Sequence, residues 1–154
     1  MVMDVTIRTA GTGDIPRMGE LLGQLFSLES DFTPNTVNQT HGLSMLVNEP
    51  SGKTHTLVAI HEGTVVGMAT VQTLISTAEG GPVGLVEDVI VDRKFRGRGI
   101  GTLLLDRIVD WGRSQNLMRL QLLADRENYS ALAYYVKHGW STTSLICLRK
   151  MFRV

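Results

Sequence analysis

The sequence predicts an α+β fold, a mixed and mostly antiparallel sheet with helices packed on it, and three observations predict it. The apolar period switches between 2 and 3.6 along the chain, giving strand, two helices, three strands, helix, strand, helix, strand. The three central strands are joined by short turns, His61-Glu62-Gly63 and the stretch around Gly80-Gly81-Pro82, which read as hairpins. The next helix lies between two strands, and such a crossover brings a parallel pair into the sheet.

Each element has a local reason. Residues 5–8 alternate and form a first strand. Asp14 can cap a helix with Pro16 in its first turn and Met18, Leu21, Leu22, Leu25 and Phe26 on one face. Residues 29–36 are polar, contain Pro34 and make a loop. A second helix covers about 36–48 and stops before Pro50. Residues 55–60, 65–74 and 83–91 are strands, the last apolar except at Glu87 and Asp88. A helix from Gly101 carries Leu104, Ile108 and Trp111 on one face. Residues 117–123 are strand-like, 128–138 are helical with Gly139 as the terminating glycine, and 142–152 form a final strand.

Composition narrows the function. A chain of 154 residues is expected to be a single domain over 1–154. It buries about 70% of its unfolded surface, enough for a core without disulfide or metal staples. With 43% hydrophobic and 19% charged residues it is not a disordered chain. Fifteen basic side chains balance fifteen acidic ones, so no global field draws it to nucleic acid or an anionic membrane. No apolar run approaches a membrane span, and residues 1–6 lack the pattern of a secretory leader. The one cysteine, Cys147, reads as a small core residue and suits a reducing, cytoplasmic compartment. His41, His55, His61 and His138 are scattered without metal-ligand spacing, so no metal site is expected.

The informative stretch runs from Val86 to Thr102. An apolar strand leads into a basic, glycine-rich turn that opens a helix. Gly97, Gly99 and Gly101 remove side chains where a backbone must approach a ligand. The amides at the helix start suit a phosphate, and Arg93, Lys94, Arg96 and Arg98 add cations. The bland alternative is a tight turn with solvated charges. The common nucleotide loops are rejected. The Walker pattern is absent, and the dinucleotide fingerprint fails where Thr102 stands and finds no acid about 20 residues beyond Gly97. Nucleic acid is also disfavoured, because Phe95 is the sole aromatic beside the basic cluster.

Arg96-x-x-Gly99-x-Gly101 resembles the pyrophosphate turn of the GNAT superfamily of N-acetyltransferases. Asn128-x-x-Ala131-x-x-Tyr134-Tyr135-x-x-x-Gly139-Trp140 resembles its second signature, at the right separation. The resemblance covers about residues 55–150. It implies about seven strands splayed in the middle, about four flanking helices, and acetyl-CoA in the cleft, with coenzyme A as product. Carried over, backbone groups of Val89, Ile90 and Val91 line the pantetheine arm. Amides of Arg96, Gly97, Arg98, Gly99, Ile100, Gly101 and Thr102 hold the diphosphate. Asn128 contacts the cofactor or caps its helix, and Tyr135 sits beside the thioester sulfur. Relatives that pair through C-terminal strands imply a homodimer.

Charge bookkeeping then assigns roles. A protonated amine cannot attack until a base takes its proton. Glu87, expected on the same pleat face as Val89 and Val91 with its pKa raised by burial, is the candidate base. The Val89 amide is placed to stabilise the oxyanion. Tyr135, with an ordinary pKa of ~10, is protonated at neutral pH and can protonate the leaving thiolate. Asp88 reads as structural, holding a turn or loop amide, and Tyr134 as packing. The expected activity is acetyl transfer to a primary amine of a small molecule, by direct attack in a ternary complex. A protein or peptide N-acetyltransferase and a non-catalytic acyl-CoA-binding module are the alternatives.

Overall fold

The computed structural model describes residues 3–29 and 31–152. Met1 and Val2 of the stretch read as no leader, Ser30 of the expected loop, and residues 153 and 154 lie outside them. Two compact units are distinguished, Met1–Leu122 and Leu123–Val154.

The first unit holds a five-stranded sheet in the order β1-β2-β3-β4-β5. These strands are β1 (Thr6–Thr9), β2 (Thr54–His61), β3 (Thr64–Ser76), β4 (Gly81–Val91) and β5 (Leu120–Leu122). Its helices are α1 (Ile15–Leu28), α2 (Thr36–Val47) and α3 (Ile100–Ser114). β1 to β4 pair antiparallel and β4 pairs β5 in parallel, as the hairpins and the crossover require. Glu62 and Gly63, at φ 47° and 75°, turn the first hairpin in the left-handed region.

Alternation along β3 sorts the core into two layers. Met68 and its partner Ile90 join Met18, Leu21, Leu22 and Leu43 in one buried cluster under α1 and α2. Gly67 faces the other way, where a Cβ would stand 3.2 Å from Leu104 and 3.4 Å from Ile100 of α3. Each such fully buried side chain contributes about 1.5–3 kcal/mol. Asp14 occupies the N-cap position of α1 but does not cap it. Its carboxylate accepts from Gly11 N at 2.8 Å and from Arg8 at 2.7 Å. Asn35 does cap α2, accepting from Asn38 N.

The second unit holds α4 (Tyr129–Lys137). Asn128 accepts from Ala131 N at 3.1 Å and Gly139 terminates the helix at φ 87°. Much of the family-like signature is therefore helix-capping chemistry.

Two expectations are corrected. Among the described residues the sheet has five strands, not about seven. Residues 142–152 form no strand among the described residues, and of 117–123 only Leu120–Leu122 pairs. A strand exists only where a neighbour receives its backbone groups, and apolar alternation does not supply one. Cys147, expected in the core, is exposed for the same reason. No helix among the described residues is long and apolar enough to cross a membrane.

Candidate active site

The site is organised by one extra residue in β4. Thr70 pairs with Asp88, but its neighbour Val71 pairs with Val86, so Glu87 is a β-bulge with no ladder partner. Before the bulge, the even-numbered residues of β4 turn their backbone toward β5. Pro82 O accepts from Met118 N and Gly84 N donates to Arg119 O, both at 2.9 Å. Beyond it the parity reverses. Asp92 N donates to Val66 O of β3 at 2.8 Å, so by alternation Asp88 and Ile90 also turn toward β3. The amides and carbonyls of Val89 and Val91 point the other way, along an edge where β5 has ended. Its last pair is Leu122 with Val86. Beyond Val86, β4 has no β5 partner within the first unit.

The sheet is held close just before it opens. A Cβ on Gly84 would lie 2.5 Å from a Leu120 methyl, so only glycine lets β5 pack there.

The bulge also redistributes the carboxylates. Glu87, expected to be buried on the face of Val89 and Val91, is exposed at the bulge, where pleat alternation no longer applies. Asp88 is the more enclosed of the two, half-buried beside Thr70. Its carboxylate accepts from Thr70 Oγ1 at 3.0 Å, and its amide donates back to the same hydroxyl at 3.2 Å. Desolvation pushes the Asp88 pKa up to about 6, against the Thr70 hydrogen bond and with help from the negative charges of Glu87 and Glu29. A carboxyl poised near neutrality is what proton removal from an amine needs. The pair Glu87-Asp88 was visible in the sequence; which member is the less exposed was not.

Downstream of β4 the chain makes a short 3-10 turn over Arg93–Phe95 and enters α3 through the glycine turn. Gly97 and Gly99 have φ of 74° and 80°, and a Cβ on either would meet nothing within 4 Å. Backbone conformation, not crowding, is what these two glycines supply. The helix's first i−4 bond runs from Leu103 N to Gly99 O. The amides of Ile100 and Gly101 therefore precede the helical ladder and carry its positive end. Ile100 itself is buried, so only its backbone is offered. Arg93, Lys94, Arg96 and Arg98 are exposed around this end, with Arg98 over the Phe95 ring at 5.5 Å and Arg96 Nε donating to Val91 O at 2.9 Å. Val91 thus keeps its amide, not its carbonyl, for an incoming chain.

In the second unit, Asn128 caps α4, as one of its two expected roles had it. Tyr135 O accepts from Trp140 N at 3.0 Å, and the Tyr134 and Tyr135 rings meet edge-on at 5.6 Å.

A strand that continues past its β5 partner into a cationic glycine turn at a helix start fits acetyl-CoA. A linear amide arm can pair along the first and a diphosphate can sit on the second. The first unit is thus built like an acetyltransferase. The chain belongs to the Acetyltransferase (GNAT) family, which uses acetyl-CoA and whose pattern matches residues 22–140. It is 31% identical over 151 residues to the N-alpha-acetyltransferase RimI of Mycobacterium tuberculosis, covering 97% of this chain and 85% of that one. It is 25% identical over 140 residues to a glucosamine 6-phosphate N-acetyltransferase of Trypanosoma brucei brucei, covering 90% of each. Matches to an N-acetyltransferase of Methanocaldococcus jannaschii and to streptothricin acetyltransferase A of Bacillus subtilis span about a third of those proteins, 32% and 31%. The fold is shared with an aminoglycoside N-acetyltransferase in complex with CoA, at TM-score 0.82 and 16% identity over 98% of this chain and 97% of that one.

Proposed function

We propose that this chain transfers the acetyl group of acetyl-CoA to a primary amine of a small molecule, by direct attack in a ternary complex. The stretch of β4 beyond its β5 partner carries the reading, because it ends where the glycine turn begins. The thioester supplies an activated acyl group. Val89 N–H is offered to its carbonyl oxygen, Val91 N–H to the pantetheine arm, and the turn from Arg96 to Thr102 to the diphosphate. Asp88, half-buried beside the exposed Glu87 that the sequence offered as base, takes the amine's proton. Tyr135, assigned by its place in the second signature, returns one to the departing sulfur. Glu29, Glu87 and Asp88 share one electrostatic neighbourhood, which favours a cationic acceptor. We treat residues 1–154 as one N-acetyltransferase domain working in the cytoplasm, on its free cysteine.

A protein or peptide α-amine is the second reading, favoured by the RimI relative that spans 97% of this chain. A thiol-release screen with acetyl-CoA across amines, amino sugars, polyamines and peptides separates the two. Turnover is expected with a small amine, and slower turnover at unchanged acetyl-CoA affinity for Tyr135→Phe. Turnover confined to peptides selects the second reading. Binding without thiol release from any acceptor leaves only an acyl-CoA-binding module.

We also propose a homodimer, on the resemblance and on the exposed Leu145, Ile146, Leu148, Met151 and Phe152 of the second unit. Light scattering should give twice the chain mass; a monomer at micromolar concentration ends this proposal.

A further inference from the structure

Two side chains of α1 reach across to the junction between β4 and the glycine turn. Asp92, the residue after β4, is buried, at 5% exposure. One carboxylate oxygen accepts from Lys94 N at 2.9 Å and so shapes the 3-10 turn over Arg93–Phe95. The other receives the Arg17 guanidinium, with Gln24 Nε2 at 3.5 Å. Gln24 Oε1 in turn accepts from Arg93 N at 3.2 Å. Arg17 is itself fixed, by Nε to Val65 O of β3 at 3.1 Å and by Glu20 at 2.8 Å. Arg17 and Gln24 lie seven residues apart and so share a face of α1. Burial alone would raise the Asp92 pKa, but the Lys94 amide and Arg17 outweigh it, and the carboxyl is held below its ordinary range.

We propose that Arg17 and Gln24 are positioning residues for the diphosphate turn, holding the backbone of residues 92–95 through Asp92 before the cofactor arrives. A turn rich in glycine is costly to order, and preorganising it reduces the entropy lost on binding. Neither side chain touches the ligand in this proposal; α1 sets the exit direction of β4, and the basic residues and the start of α3 follow from it.

The inference rests on the acetyl-CoA reading, and one experiment tests the two separately. Calorimetry with coenzyme A on the wild-type protein tests the reading; no binding there overturns it. Given wild-type binding, Gln24→Ala is expected to weaken coenzyme A about threefold and Arg17→Met about tenfold, the latter equal to about 1.4 kcal/mol. Arg17→Met leaves Asp92 buried without its cation, so its fold is checked by thermal melting, and Gln24→Ala removes no charge. Turnover with S-acetylpantetheine, which lacks the diphosphate, distinguishes positioning from general damage. The positioning role predicts wild-type kcat/KM for Gln24→Ala with this truncated donor and a raised KM with acetyl-CoA. Equal losses with both donors, or unchanged coenzyme A affinity in Gln24→Ala, overturns the proposal.

Discussion

Asp88→Asn is expected to make the protein more stable at pH 7.5 while removing most of its activity. The carboxyl is pushed up to about 6 by burial, against an ordinary 3.8. In the unfolded chain it loses its proton near pH 4, whereas the folded chain keeps it to about pH 6. Between those values the folded state binds more protons, so its stability falls as pH rises through the window, and the full cost is present above it. A gap of roughly two units at 1.36 kcal/mol each makes that cost on the order of 3 kcal/mol. Asparagine retains an oxygen to accept from Thr70 Oγ1 and carries no charge to bury. Denaturant unfolding at pH 7.5 should show a gain of about 1–2 kcal/mol, shrinking toward zero at pH 4. Activity should fall about 10²–10⁴-fold, the usual worth of a general base. In the wild type, kcat/KM should rise through pH 6, and this limb should vanish in the variant while persisting in Glu87→Gln. Loss of the limb in Glu87→Gln alone would return the base to the exposed residue. A variant less stable than wild type at pH 7.5 would show that Asp88 is held for structure.

Why Asp88 was not legible beforehand is a matter of what a pattern records. The hairpins were readable because β2, β3 and β4 are apolar and the turn at Glu62-Gly63 needs left-handed backbone. α4 was readable because Asn128 and Gly139 are cap residues whose chemistry is local. The bulge leaves no such mark. One residue inserted between Val86 and Asp88 reverses which backbone groups face the open edge, yet Val89, Ile90 and Val91 are all apolar and read the same in either parity. Only the pairing of Thr70 with Asp88 and Val71 with Val86 reveals it. The link from Arg17 to Asp92 spans 75 positions and had no local signal at all. The failed strand at 142–152 is the converse case, a clear local pattern without a partner to make it real. The part of the proposed site that the sequence could offer is the contiguous stretch from Val89 to Gly101. What was missed depends on residues brought together by the fold.

The glycine turn permits a sharper separation of shape from charge, by comparing Gly99→Asn with Gly99→Asp. Gly99 sits at φ 80° with open space around its Cβ position, so either side chain fits without a clash. Both carry the same backbone cost, about 1–2 kcal/mol at most, and Asn and Asp tolerate this region best among non-glycine residues. An aspartate beside the start of α3 is favourable to the helix dipole, so the fold should not suffer more than with asparagine. For a diphosphate on that same helix start the sign reverses. A carboxylate about 4 Å from a phosphate at an effective dielectric of 20 costs about 4 kcal/mol, although exposure and salt reduce it. Coenzyme A affinity should therefore drop by only a few fold in Gly99→Asn but by about 100-fold or more in Gly99→Asp, with similar melting temperatures. The gap between the variants should narrow as salt is raised from about 50 to about 500 mM, since it is made of charge. Wild-type affinity in both variants would mean that the diphosphate lies elsewhere, and the stretch of β4 beyond its β5 partner would then lead to no cofactor. Equal losses in both would assign the turn's work to glycine's backbone alone, with the helix start reduced to a bystander.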